Sequence, residues 1–144
     1  MEHGCLFCRI VAGEVAAAVF EDELTLAFLD HRPLFPGHCL LIPKTHYETL
    51  ADLPEELNGP LFGNARLLAG AVEQAMESDG SFVAINNRVS QSVAHLHIHV
   101  VPRRKKDGLR GFFWPRQKYE SAAEMERVRE TLRAVIDRTR RAPR

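Results

Sequence analysis

The stretch Gln91-Ser92-Val93-Ala94-His95-Leu96-His97-Ile98-His99-Val100-Val101-Pro102-Arg103 sets three histidines at every second position. In an extended strand alternate side chains point the same way, so His95, His97 and His99 are expected on one face and Leu96, Ile98 and Val100 on the other. The apolar face gives the strand a reason to be buried, whereas three imidazoles aimed into a core would be hard to satisfy. One face is expected to pack and the other to work, over a strand running from Val93 to Val101 and stopped by Pro102.

Two chemistries suit such a face. Histidines at i and i+2 can chelate one metal, as in some zinc hydrolases. Alternatively, neutral imidazole is a competent nucleophile near pH 7, provided a neighbouring group holds its other nitrogen and fixes the tautomer. A solvated cluster with no chemistry is the third reading, and the spacing alone does not choose among them.

Working outward, Val19 to Glu23 and Leu24 to Asp30 read as two strands around an acidic turn. Pro33, Pro36 and Gly37 mark a loop, and His38 to Ile42 reads as a short buried strand closed by Pro43. Leu57, Leu61, Ala65, Leu68, Val72 and Ala75 recur at helical spacing. Asp52 is the expected N-cap there, and Gly59-Pro60 predicts a break, with the main helix running from about Pro60 to Glu77. Ser78 to Gly80 is an expected turn, Ser81 to Asn86 a strand, and Asn86 to Ser92 a polar loop. Residues 103–120 read as a basic, flexible segment. Ser121-Ala122-Ala123-Glu124 has the form of a capping box before a final helix over 121–140, with Met125, Val128, Leu132 and Val135 on one stripe and a frayed arginine-rich end. The order of elements predicts one antiparallel α+β domain with helices packed on a sheet.

The 144 residues are enough for one domain, with 45% apolar and 26% charged residues and a formal net charge of zero. That balance gives no field favouring nucleic acid or an anionic membrane. No apolar run approaches the roughly 18 residues of a membrane span, and Met1-Glu2-His3-Gly4-Cys5 does not have the form of a signal peptide, so a cytoplasmic location is expected. Three cysteines make a poor disulfide framework. Cys5-x-x-Cys8 has zinc-ligand spacing, although a redox pair or two unligated thiols have the same spacing. Cys39, inside an apolar strand, reads as a small buried hydrophobe.

The quoted stretch resembles the signature of the histidine-triad (HIT) superfamily of nucleotide hydrolases and transferases. Cys5-Leu6-Phe7-Cys8-Arg9-Ile10, Leu26-Ala27-Phe28-Leu29-Asp30 and Gly37-His38-Cys39-Leu40-Leu41-Ile42-Pro43-Lys44-Thr45-His46 resemble further segments of that family in the same order. The resemblance covers about Cys5 to Arg103. It implies a five-stranded antiparallel sheet with two main helices, pairing into a homodimer, and cleavage at the α-phosphate of a purine nucleotide. On this resemblance His97 is the nucleophile, forming a nucleotidyl-imidazole that water resolves. His99 and His38 hydrogen-bond around it, and Ser92 stands beside the leaving group. Asp30 corresponds to the acid that accepts from the ribose hydroxyls. Phe7, Ile10, Phe28, Leu29 and His31 correspond to walls around the base, and Asn86 and Gln91 to the nucleotide loop.

Family members sharing the Cys-x-x-Cys often complete a structural zinc site, and the matching positions here are Cys5, Cys8, His46 and His95. Such a closed set would pin the N-terminal segment (residues 1–18) to the histidine strand and do no chemistry, so no catalytic metal is expected. The family's loop reads Asn-x-Gly-x-x-x-Gly-Gln. This chain has Asn86-Asn87-Arg88-Val89-Ser90-Gln91, two residues shorter and without either glycine, which leaves the loop geometry and the role of Asn86 or Asn87 open. A non-catalytic nucleotide-binding protein and a metal-dependent hydrolase are the competing functions. Trp114 is a conceivable cover for a neighbouring site, with ordinary packing as its plain alternative.

Overall fold

A computed structural model describes residues 4–109 and 117–142. The chain divides into two compact units, Met1–Leu109 and Arg110–Arg144. The first holds α1 (Leu6–Val11), β1 (Ala18–Glu21), β2 (Thr25–Leu29), β3 (Cys39–Pro43), two 3-10 turns, α2 (Asn58–Ala75), β4 (Gly80–Ala84) and β5 (Ile98–Arg103), and the second holds α3 (Ala122–Arg141). The five strands form one sheet in the order β1-β2-β3-β5-β4, with every neighbouring pair antiparallel.

The central strands are apolar on both faces, as befits strands covered twice. Ala27, Leu41, Ile98 and Val100 pack with Leu61, Ala65, Leu68 and Val72 of α2 into one core. Leu26, Phe28, Leu40 and Ile42 face the other way and pack with Phe7 of α1 into a second. Each fully buried side chain of this size contributes about 2 kcal/mol. Register then builds a row across the second face, because Phe28 pairs with Leu40, Leu40 with His99, and His99 with Ala84.

Several expectations need correction. The extended segment 93–101 is shorter than expected: residues 92–95 bend, and strand β5 begins only at Ile98 and runs through Pro102 to Arg103. Alternation of contacts nevertheless holds, since Leu96, Ile98 and Val100 enter the α2 core. The histidine face is not open, because α1 covers part of it and leaves His95 at 0% and His97 at 2% exposure. Helix α2 starts at Asn58 without a break. Pro60 falls in its first turn, where amide protons have no intrahelical acceptor and proline costs nothing. Asp52 caps no long helix; it closes a box with Thr49 around a 3-10 turn.

Arg103 makes a two-pronged pair with Asp107, at 2.6 and 3.0 Å, so the described start of the expected flexible segment is a closed turn. Residues 110–116, including Trp114, lie outside the described residues. In α3, Ser121 accepts from the Glu124 amide as expected of an N-cap, while the Glu124 carboxylate accepts from the amide of Glu120. The helix stays regular to Arg141, where arginines in the last turn suit its dipole. None of its residues is buried, and its apolar stripe is exposed. No helix among the described residues is long and apolar enough to cross a membrane.

Candidate functional site

Three of the chain's histidines are held by main-chain groups and a fourth by one of those rings, and each bond decides where that ring carries its proton. A carbonyl only accepts and an amide only donates, so the neutral tautomers follow from the partners. The Nδ1 of His97 lies 2.7 Å from the carbonyl oxygen of His95. That nitrogen therefore carries the proton, and Nε2 keeps its lone pair. The Nε2 of His95 lies 2.8 Å from the carbonyl of Pro43, so its lone pair is on Nδ1. The Leu34 amide donates to Nδ1 of His38 at 3.0 Å, which leaves the proton of His38 on Nε2. That N–H points at Nδ1 of His99, 3.0 Å away, and fixes the last ring.

Burial sets the charge of the site. The rings of His38, His95 and His99 all have pKa values lowered from the ordinary histidine range, chiefly by burial, which outweighs the opposing Asp30 carboxylate at His38 and the opposing Pro43 carbonyl at His95. For His99 burial, reinforced by His97 and His38, brings the value down to about 4. Asp30, whose Oδ2 is 3.7 Å from His38 Nε2, opposes this without reversing it. The imidazoles around His97 are therefore neutral at pH 7.

Asp30, His97 and His99 border a cavity of about 690 Å³. Phe7, Ile10, Phe28, Leu29, Asp30, His31, Ser92, His97 and His99 all line it. Its walls are apolar, with Asp30 and the histidines supplying the polar groups, a composition typical of a small-molecule site. Phe7 stacks edge-on against Phe28, His95 and His97 with ring centroids 5.2–5.8 Å apart. His38 sits behind His99 rather than on the lining.

Asn86 and Gln91 are not brought to the cavity. Gln91 donates to the carbonyl of Glu48 and accepts from the Arg88 amide, so it ties the loop down instead. Asn87 likewise accepts from the Leu50 amide. The shortened loop keeps left-handed backbone without glycine, at Arg88 (φ 68°) and Ser90 (φ 59°). Val15, Ala16, Ala17, Leu40 and Val93 also line the cavity and were not singled out from the sequence. The only sequence signal was the small-residue run before β1, which leaves room beside the strand.

Cys5, Cys8, His46 and His95 converge on one point, all four ligand atoms lying within 4.8 Å of one another. The Cys8–His46, Cys5–His95 and Cys8–His95 sulfur-to-nitrogen separations are 3.3, 3.5 and 3.6 Å. Tetrahedral zinc with ordinary bonds of about 2.3 Å to sulfur and about 2.05 Å to nitrogen sets these atoms about 3.6 Å apart. The Pro43 carbonyl already orients His95 with its lone pair inward, the usual outer partner of a metal-bound histidine. The donor set fits a closed zinc centre. Cys39 is buried and donates to the Gly37 carbonyl, and burial pushes its thiol pKa up, so it behaves as the small hydrophobe expected.

A small antiparallel sheet with paired histidines on the border of an apolar, carboxylate-marked cavity is the arrangement these residues build. The model of the HIT domain matches residues 13–106, and the chain belongs to the HIT family, in its branch with an N-terminal Cys-x-x-Cys. It is similar to the protein hit of Bacillus subtilis (40% identical, covering 76% of this chain and 78% of that one). It is also similar to the adenylylsulfatase HINT3 of Arabidopsis thaliana (36%, covering 76% and 57%) and to the adenosine 5'-monophosphoramidase HNT1 of Saccharomyces cerevisiae (36%, covering 81% and 73%). Among solved structures, a HIT family member from Bacillus subtilis aligns with a TM-score of 0.83 at 33% identity over 99% of both chains. A zinc-bound histidine triad family protein from Mycobacterium smegmatis aligns at 0.69 and 36%, over 94% of this chain and 97% of that one.

Proposed function

We propose that the protein is a hydrolase or transferase that breaks a bond at the α-phosphate of a purine nucleotide, with His97 as the nucleophile. The observation that carries this reading is the bond from His97 Nδ1 to the His95 carbonyl, which frees Nε2 on the border of the apolar cavity. The named activities of the Arabidopsis and yeast relatives, an adenylylsulfatase and a phosphoramidase, support substrates with a leaving group on an adenylyl phosphate.

In this mechanism the base lies between Phe7, Ile10, Phe28, Leu29 and His31, and Asp30 accepts from the ribose hydroxyls. His97 Nε2 attacks the α-phosphorus, the bond to the leaving group breaks, and a nucleotidyl-imidazole forms. Ser92 stands beside the leaving group, and N–H donors including His99 stabilise charge on the phosphoryl oxygens. Water then cleaves the phosphorus–nitrogen bond and returns His97 to its neutral form. A zinc ion at Cys5, Cys8, His46 and His95 would hold α1 against the histidine segment and keep Phe7 and Ile10 in the wall. The active species is proposed to be a cytoplasmic homodimer, with residues 1–144 acting as one HIT domain.

The test is to supply adenosine 5′-phosphoramidate and diadenosine polyphosphates to wild type and to His97→Ala. Turnover of at least one class, with a loss of about a thousandfold or more in the variant, is expected. A 5′-nucleotide should also become trapped on the wild-type protein under acid-free quench. Equal inertness of both proteins would leave a nucleotide-binding protein without catalysis. Immediate loss of turnover on chelation would point instead to a metal-dependent hydrolase.

A further inference from the structure

Asp30, His38 and His99 form a second group whose donor atoms all lie within 4.8 Å of one another. His38 Nε2 is 3.0 Å from His99 Nδ1 and 3.7 Å from Asp30 Oδ2. By residue type and distance this is a reasonable three-point site for a divalent transition metal. The loop before it argues otherwise. Every polar group of His38 is committed: its amide donates to the Phe35 carbonyl at 3.0 Å, its carbonyl accepts from Asp30 at 2.9 Å, and its two ring nitrogens face Leu34 and His99.

A metal needs a lone pair at His38 Nε2, which requires the neutral ring's proton on Nδ1. That nitrogen already faces the Leu34 N–H at 3.0 Å, so a proton there would meet another proton. Leu34 as a residue is 52% exposed, and its part in the site is played by its backbone. We propose that the Leu34 amide sets the direction of a proton chain through His38 to His99, and by doing so bars Asp30, His38 and His99 from binding a divalent metal. Leu34 is thus a positioning residue. Its amide donates to His38, His38 donates to His99, and the remaining N–H of His99 is left pointing away from the chain.

The last step has its own mark. The Nε2 of His99 is a buried polar side-chain atom with no hydrogen-bond partner among the described residues. The chain makes it a donor, so an anionic oxygen entering the cavity that His99 lines would meet an N–H there rather than a lone pair. The contrast with His95 is direct. There a backbone acceptor turns the lone pair towards two thiols, while here a backbone donor turns a proton into the group. The inference rests on the proposed function only for the use made of that final N–H, and its tests require no turnover.

The first measurement is the ¹⁵N imidazole spectrum of the uniformly labelled full chain at pH 7.5. His38 is expected with its proton on Nε2 and bare nitrogen at Nδ1, and His99 with the same tautomer; a proton on His38 Nδ1, or an even mixture, overturns the proposal. The second measures zinc uptake by wild type, His99→Ala, Leu34→Pro and the Leu34→Pro, His99→Ala double variant. His99→Ala should leave the wild-type stoichiometry unchanged. Leu34→Pro, which lacks the N–H, should lose the single tautomer and take up one further zinc ion that the double variant does not. Loss of a zinc ion in His99→Ala alone, or an unchanged tautomer and stoichiometry in a folded Leu34→Pro, refutes it. Should Leu34→Pro fail to fold, the wild-type spectrum and the His99→Ala stoichiometry decide alone.

Discussion

The carbonyl oxygen of His95 accepts from Nδ1 of His97 at 2.7 Å, so the residue that faces the thiols also orients the ring that faces the cavity. Two sites with different chemistry are thereby joined through one peptide unit. A disturbance of the Cys5, Cys8, His46 and His95 group should reach the cavity by this bond and by Phe7, which lies between the two cysteines and touches His97.

The group that could hold a metal gives the first prediction. Cys8→Ser should lose zinc binding and lower the melting temperature by about 5 °C or more, since binding to the native state alone stabilises it. KM should rise more than kcat falls, because the wall formed by α1 loosens while His97 remains. A chelator should act slowly, on the timescale of metal release. Calorimetry with steady-state kinetics checks this; a variant that keeps its melting temperature and KM would contradict it.

Asp30 supplies the second. A carboxylate that accepts from a ribose diol contributes about 1.5–3 kcal/mol, so Asp30→Asn should raise KM about tenfold to a hundredfold. The penalty should shrink for a 2′,3′-dideoxy substrate that has no hydroxyls to offer. An equal penalty for both sugars would remove Asp30 from ribose recognition.

Acid sensitivity is the third. His99 has a native pKa of about 4, lowered chiefly by burial, against about 6.5 in the unfolded chain. The unfolded state therefore binds more protons between these values, and stability present above pH 6.5 is lost as pH falls towards 4. For this ring alone the loss between pH 7 and pH 5 is about 2 kcal/mol, or about 4–8 °C in melting temperature. His38 shifts in the same direction. His99→Asn should flatten the pH dependence of melting, and an unchanged slope would disprove the assignment.

Backbone strain yields the fourth. Ser90 holds φ at 59° with a side chain that gains nothing from it, so Ser90→Gly should stabilise the chain by about 0.5–1 kcal/mol. Gly37→Ala should do the reverse by about 2 kcal/mol. Its φ is +97°, and a new Cβ would lie 2.6 Å from Met76 Cγ. Denaturant melts of both variants test the pair, and opposite signs are expected.

Much of this molecule was legible in its residues, for reasons that differ by element. The strands showed because they are apolar on both faces between turn residues, and α2 showed because Leu61, Ala65, Leu68 and Val72 keep one face. Its start was misread because proline in a first turn looks like proline in an interior. The histidine face was legible from the two-residue period, although residues 92–95 bend rather than extend. The convergence of Cys5 and Cys8 on His46 and His95 came from resemblance, since residues separated by up to 90 positions carry no local pattern. Gln91 was placed at the nucleotide on the same ground, and its tie to Glu48 reflects a shorter loop with different closure. The part of Leu34 was not legible at all, because it is played by an amide that any residue but proline possesses.

The main-chain settings of the histidine protons have a consequence for anyone altering this chain. The partners are the carbonyl of Pro43, the carbonyl of His95 and the amide of Leu34. A library of point substitutions should score the exposed position 34 as permissive to everything but proline, since exchanging its side chain leaves the amide in place. Inserting or deleting one residue between 30 and 38 should instead be as damaging as replacing a histidine. The blueprint of this site is written partly in chain length, and only a scan that varies length will read it.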